Sequence, residues 1–277
     1  MRRLAGTLLI AAFAVASPAA DLTLTTTTTI EGALAAAGSG GFAPKVVVRV
    51  SGTKSRMDVD TGDQTITTIA DTATNLAYVL RPEDKTAQLL TGDAAAPADP
   101  ASAAPKMEAK VSPTGQKRDI DGVSCDEYTV TMKMDLASLA AGGGALPPEA
   151  VSLLKDISLH VTGSIWAAKD APGAVEYAAF QKTVSRFAPA AIARNVPGGA
   201  PAPALPSGMD RLVTGFPEAA GIPYLTELTT KVEGTGQLVA LLQQMGQMKI
   251  TGKVSSISTE PVPAAVFSVP EGYTIVK

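Results

Sequence analysis

Two stretches decide the fold: Lys45–Ser51, K-V-V-V-R-V-S, and Lys54–Asp60, K-S-R-M-D-V-D, with only Gly52-Thr53 between them. Both carry β-branched residues, which are stiff at χ1 and suit a pleated strand better than a helix. A two-residue link containing glycine closes two such runs into a hairpin. Working outward, the period-two alternation of a strand with one buried face recurs along the chain. Upstream, residues 21–30 read D-L-T-L-T-T-T-T-T-I. Downstream, 64–71, 75–81 and 85–91 follow at meander spacing, separated by turn residues such as Thr61-Gly62-Asp63 and Pro82-Glu83-Asp84. Residues 106–112, 123–135 and 157–168 extend the series, 222–233 and 248–260 read as a late hairpin, and 267–276 closes it.

Helical signals are fewer. Residues 135–141 and 147–156 flank the break Gly142-Gly143-Gly144, and Pro147 or Pro148 suits a first helical turn. In 170–187, Asp170 is an N-cap candidate, and Phe180, Val184 and Phe187 recur on one face. In 237–247, Leu238, Leu241, Leu242 and Met245 share a face, which suits a gate, a partner contact or a buried structural helix. Residues 92–105 and 188–208 are Ala/Pro-rich inserts. Neither can bury enough apolar surface to offset ordering, so mobile loops are expected there.

The 277 residues are 45% hydrophobic and carry a formal net charge of −3, which fits a single domain and opposes nucleic-acid binding. Arg2 and Arg3, the apolar run 4–16 and Ser17-Pro18-Ala19 have the layout of a secretory signal peptide over 1–19, leaving a single domain at 20–277. Loss of both arginines takes the net charge from −3 to −5. The run is too short to span a bilayer, so a periplasmic or secreted protein without a transmembrane segment is expected. The fold class expected is mainly β: a curved antiparallel sheet that hides its apolar face by closing into a small barrel or by staying half-open under a helix. A closed small barrel fills itself with side chains, whereas a half-open one leaves an aliphatic trough between strands and lid. Its candidate walls are Met57, Val59, Leu76, Tyr78, Leu80, Leu89, Trp166, Phe180 and Val184, each weighed against plain core packing.

Motifs of chemistry are weak. Gly122-Val123-Ser124-Cys125-Asp126 lacks the second glycine of a nucleophile elbow. Ser51/Lys54 spans a hairpin turn, and Ser152/Lys155 has none of the companion motifs of a serine–lysine enzyme. The run 58–63 starts like a calcium loop, but Asp63 and Ile69 stand where glycine and glutamate are needed. Asp119 and Asp121, beside Lys117 and Arg118, read as a charged edge. His160 alternates against Leu159 and Val161, so a surface imidazole is expected. Cys125, the one cysteine, reads as a small buried hydrophobe. No cofactor, metal or catalytic set is expected.

The order of several short motifs is more specific than any one of them. Arg56-Met57-Asp58 and Thr68-Ile69-Ala70-Asp71 come first, then Tyr78-Val79-Leu80-Arg81-Pro82 with Lys85 beyond. Gly122-Val123-Ser124-Cys125-Asp126-Glu127-Tyr128, Trp166, 176–180, Gly221-Ile222-Pro223 and the terminal 267–273 follow. In this order the chain resembles a family of exported bacterial proteins classed as a domain of unknown function, similar to LolA-type periplasmic lipoprotein carriers. The resemblance implies an unclosed barrel with a helical lid over a hydrophobic cavity, and no catalytic residues. The two inserts and the lack of a lipoprotein cysteine depart from it, which puts membrane tethering in doubt. The function expected is a non-enzymatic carrier of a lipid or lipoprotein acyl chain. An envelope protein-interaction or regulatory module is the alternative, and a hydrolase ranks last.

Overall fold

A computed structural model describes residues 21–32, 43–62, 64–91, 107–137, 148–194, 220–244 and 246–277. The expected leader, the insert at 92–105 and most of the second insert lie outside the described residues. One meander comprises β1 (Leu22–Glu31), β2 (Lys45–Ser51), β3 (Lys54–Asp60), β4 (Thr65–Asp71), β5 (Leu76–Arg81) and β6 (Thr86–Thr91). A second comprises β7 (Met107–Ile120), β8 (Val123–Asp135), β9 (Ser158–Ala168), β10 (Ile222–Glu233) and β11 (Met248–Ser258). A terminal β12 (Thr274–Val276) completes the set.

The twelve strands make one sheet in the order β12-β6-β5-β4-β3-β2-β1-β11-β10-β9-β8-β7. Neighbours are antiparallel except β12, which lies parallel to β6. The end strands β12 and β7 do not pair, so the sheet is not closed into a barrel. Within each meander, sequence neighbours pair antiparallel, through short turns or through links that carry α-helices. The two meanders are joined by β11 pairing with β1, from Thr23↔Ser258 to Glu31↔Lys249.

β7 runs eight residues beyond the expected Ser112. It does so through a register shift between Pro113 and Lys117. Proline cannot donate to a ladder, and an edge strand with a bulge tolerates it. The closing segment departs further. Instead of a strand over 267–276, a 3-10 turn (Ala264–Phe267) leads into a strap, and only the last three residues pair. Pro270 lacks the N–H a strand needs, and Gly272 turns the chain at φ 82°.

Three helices are described: α1 (Pro148–Leu153), α2 (Ala174–Arg194) and α3 (Gln237–Gln244). α2 starts four residues later than expected, because Pro172 and Gly173 occupy the preceding turn. Its first turn is closed by the Tyr177 N–H donating to the Gly173 carbonyl at 2.9 Å, so Asp170 is not the cap. It also continues to Arg194, so the first seven residues of the expected insert 188–208 are helical. On β1–β2, Leu22, Leu24, Val48 and Val50 cluster with Phe180 of α2. Further along, Ala70, Ala77, Val79 and Leu90 cluster with Phe187. Seven residues of helix rise ~10 Å, about two strand spacings, so α2 runs across the strands of the meander, not along them. The other face of β4–β6 buries Ile69, Leu80 and Ala87 under Phe267 of the terminal strap. This end of the sheet is therefore apolar on both sides.

Candidate functional site

Cross-strand partners share a face of a sheet, so the register shows which side chains meet. Across the second meander, Val111, Val130, Gly163, Leu228, Ile250 and Ile30 form one row. Ala109, Met132, Val161, Thr230 and Met248 form the next. Met134, Leu159 and Val232 form a third. The alternate positions are polar: Thr129, Thr131, Lys133, His160, Thr162 and Ser164. Val130, Met134 and Val161 are buried, while Met132, Leu159, Leu228, Val232, Met248 and Ile250 are half-buried. On β9 the row positions alternate against Trp166 and Ala168, which lie in the cluster beneath α2, so on β8–β10 the rows take the other face, that of Tyr128, Ile165 and Ala167. From β8 to β1 is four strand spacings, ~19 Å.

Gly163 sits in the first row because its backbone approaches β10. A Cβ there would lie 1.9 Å from the Glu227 carbonyl oxygen. Any side chain would force β9 and β10 apart.

The nine residues expected to wall a trough divide between two faces. Trp166 and Phe180 belong to the cluster beneath α2, and Met57 and Val184 pack against it. Val59 lies on the face of Met57, between Val46 and Ile66. Leu76, Tyr78, Leu80 and Leu89 lie on the opposite face, and this corrects the expectation. Leu80 and Tyr78 pack with Phe267 under the terminal strap, Leu89 stands opposite Tyr78, and Leu76 is two residues along. Parity on β5 is not written in its sequence. Both faces are apolar there, so alternation gives no direction, and Ala77 and Val79 are the pair turned toward α2. The rows of β8–β11 were missed. Their signal, Val130-x-Met132-x-Met134 and Met248-x-Ile250, is plain in the sequence, but the return of β11 to β1 is not.

Tyr177 tilts against Phe180 with ring centroids 5.9 Å apart. Desolvation pushes its hydroxyl up to about 12, so it stays neutral at any ordinary pH. Cys125 is fully buried in the same cluster, as expected, and burial pushes its thiol up to about 11. Arg118 lies over the Trp166 ring at 5.7 Å.

Ser158, His160 and Glu233 fall within bonding range, yet they do not form a catalytic relay. Ser158 Oγ lies 3.1 Å from His160 Nε2, and Glu233 Oε2 lies 3.3 Å from that same nitrogen. A nucleophile and an orienting carboxylate must hold opposite nitrogens of the imidazole. Flipping the ring moves both contacts together and does not help. Glu233 also bonds Lys231 at 2.9 Å, and it is held below its ordinary value by that bond and by nearby His160.

Asp58 is bonded to Arg49 and Arg56, so its carboxylate is engaged by protein cations, not presented in a calcium loop. Asp121 pairs with Lys253, while Asp119 accepts from the Gly122 N–H. Among the described residues, no three His, Cys, Asp or Glu side chains are grouped to hold a metal ion.

Three shallow depressions are described. One of about 280 Å3 lies beside Lys117, Ser124 and Asp126, and one of about 370 Å3 beside Lys110, Lys133 and His160. A third of about 410 Å3 lies on the outer side of α2, by Val175 and Lys182. None is lined by any of the nine expected wall residues. Among the described residues, no helix is long and apolar enough to cross a membrane. Scanned against protein-family models and curated proteins, the chain matches none.

Proposed function

We propose that this chain is an exported, non-enzymatic carrier that takes an acyl chain or similar lipid against the apolar rows of β8–β11. In this reading the unclosed sheet is a half-barrel of the LolA type, and on β8–β10 the rows line the face turned away from α2. One observation carries the proposal: three cross-strand rows, mostly aliphatic and methionine, lie on one face of an unclosed sheet with Met132, Leu159, Leu228, Val232, Met248 and Ile250 only half-buried. The first row spans ~19 Å from β8 to β1, which exceeds half the hydrocarbon thickness of a bilayer, ~15 Å, the length of one acyl chain. Each methylene moved from water onto such a face contributes ~0.8 kcal/mol before ordering costs. Met132, Met134 and Met248 add unbranched, adaptable side chains suited to chains of differing shape. Ser158 and Glu233 meet His160 at one and the same ring nitrogen, which supports binding over hydrolysis.

The test is lipid extraction and mass spectrometry of the purified full chain, beside the variant Leu228→Asp. Co-purified lipid that is lost from a still-folded Leu228→Asp protein supports the carrier. An unliganded wild type that also takes up no fluorescent fatty acid refutes it, and leaves the protein-interaction module.

A further inference from the structure

The tip of the β10–β11 hairpin carries α3 and differs in chemistry from the rest of the chain. Residues 234–247, G-T-G-Q-L-V-A-L-L-Q-Q-M-G-Q, contain no charged side chain in a protein that is 18% charged. Of the three readings open for the face of Leu238, Leu241, Leu242 and Met245, a gate, a partner contact or a buried structural helix, the buried one is not met at Leu238 and Leu241. α3 buries Val239, at 2% exposed, and turns Leu238 and Leu241 outward, at 36% and 56%. They are neighbours at i, i+3, on the solvent side of the helix. Gly236 (φ 107°) and Gly246 (φ 78°) bracket it, both with open space around them. Gln243 Nε2 donates to the Val232 carbonyl at 3.1 Å, which ties the helix to the strand below.

The apolar rows lead to this tip. Val232 ends one row and Met248 another, and each is within two residues of the segment that carries α3. We infer that α3 is a bilayer-docking tip: Leu238 and Leu241 insert at the surface of a lipid membrane, and a chain passes between bilayer and rows at the base of the hairpin. This rests on the carrier reading above and names where its ligand enters. The continuity favours a bilayer over a protein partner. A lipid crossing water would expose its methylenes at ~0.8 kcal/mol each, so the mouth of an acyl-binding face gains from touching the membrane. Protein interfaces, by contrast, centre on aromatic and arginine anchors within a polar, charged rim. α3 offers neither.

The test is flotation of the full chain with phosphatidylethanolamine/phosphatidylglycerol vesicles. Wild type should float with the vesicles, and nearly as well in 0.5 M salt, because the tip is uncharged. Leu238→Asp/Leu241→Asp should weaken partition at least tenfold. Both side chains are exposed, so folding should be intact by circular dichroism. Val175→Asp, at a 79% exposed site on α2, serves as the control and should leave partition unchanged. A wild type that does not float, a double variant that floats as well as wild type, or capture of a protein in place of vesicles through Leu241 overturns the inference. Lipid content separates the two readings. If lipid co-purifies but docking fails, only the tip is wrong. If docking holds without co-purified lipid, the carrier reading is wrong.

Discussion

The Asp58→Asn variant tests how the outer face of the first meander is held. Asp58 accepts from Arg49 Nη1 at 2.6 Å, Arg56 Nε at 3.0 Å and Thr67 Oγ1 at 2.7 Å. Arg56 also donates to the Val266 carbonyl at 3.2 Å, so the same knot ties down the terminal strap. The Asp58 side chain is 15% exposed, and its arginine partners are 30% and 24% exposed. Burial alone would raise the carboxyl pKa, and is the largest single influence. The bonds from Arg56, Thr67 and Arg49 together outweigh it and hold the carboxyl below its ordinary value. Breaking a fully buried pair costs ~3–5 kcal/mol, while an exposed pair contributes at most ~1 kcal/mol. For this half-buried site with two cations left facing an amide, we expect a loss of ~2–3 kcal/mol at pH 7. The native pKa is depressed, so the contribution is present above the unfolded value of ~3.9 and fades as pH falls through the native one. Urea unfolding followed by circular dichroism should therefore show a gap between wild type and variant that is constant above about pH 5 and narrows below about pH 4. A variant within ~0.5 kcal/mol of wild type at pH 7, or a gap undiminished at pH 2, would refute the reasoning.

Further outcomes follow from burial and close approach. Phe187, 3% exposed between α2 and the sheet, should cost ~3–5 kcal/mol on change to alanine in the same urea assay, and a loss under ~1 kcal/mol would mean α2 is not seated there. Gly163→Ala should lower the thermal midpoint by several degrees or prevent folding, because the β9–β10 backbones must separate; an unchanged midpoint would contradict the close approach. With its thiol at about 11, Cys125 should resist iodoacetamide in the native protein at pH 8 and react once urea unfolds it. Rapid native labelling would show that the cluster beneath α2 opens readily.

Much of the local structure was legible. The Gly52-Thr53 hairpin, the threonine strand, the meander spacing and the late hairpin all follow from period-two alternation and turn residues, which act over a few positions. Asp58 shows where that stops. Arg56-Met57-Asp58 reads as one motif, yet strand alternation sends Met57 toward α2 and the two charged residues to the opposite face, where Arg49 waits on β2.

A largely antiparallel sheet is already written in the residues, because alternation and turn chemistry are local. Only the tertiary structure decided which face of each strand meets α2, that the terminal strap covers the back of β4–β6, and that β11 returns to β1. Those outcomes depend on long-range register. A shift of one residue would turn a whole row of side chains to the other face, and nothing within a single strand that is apolar on both sides records which way it points.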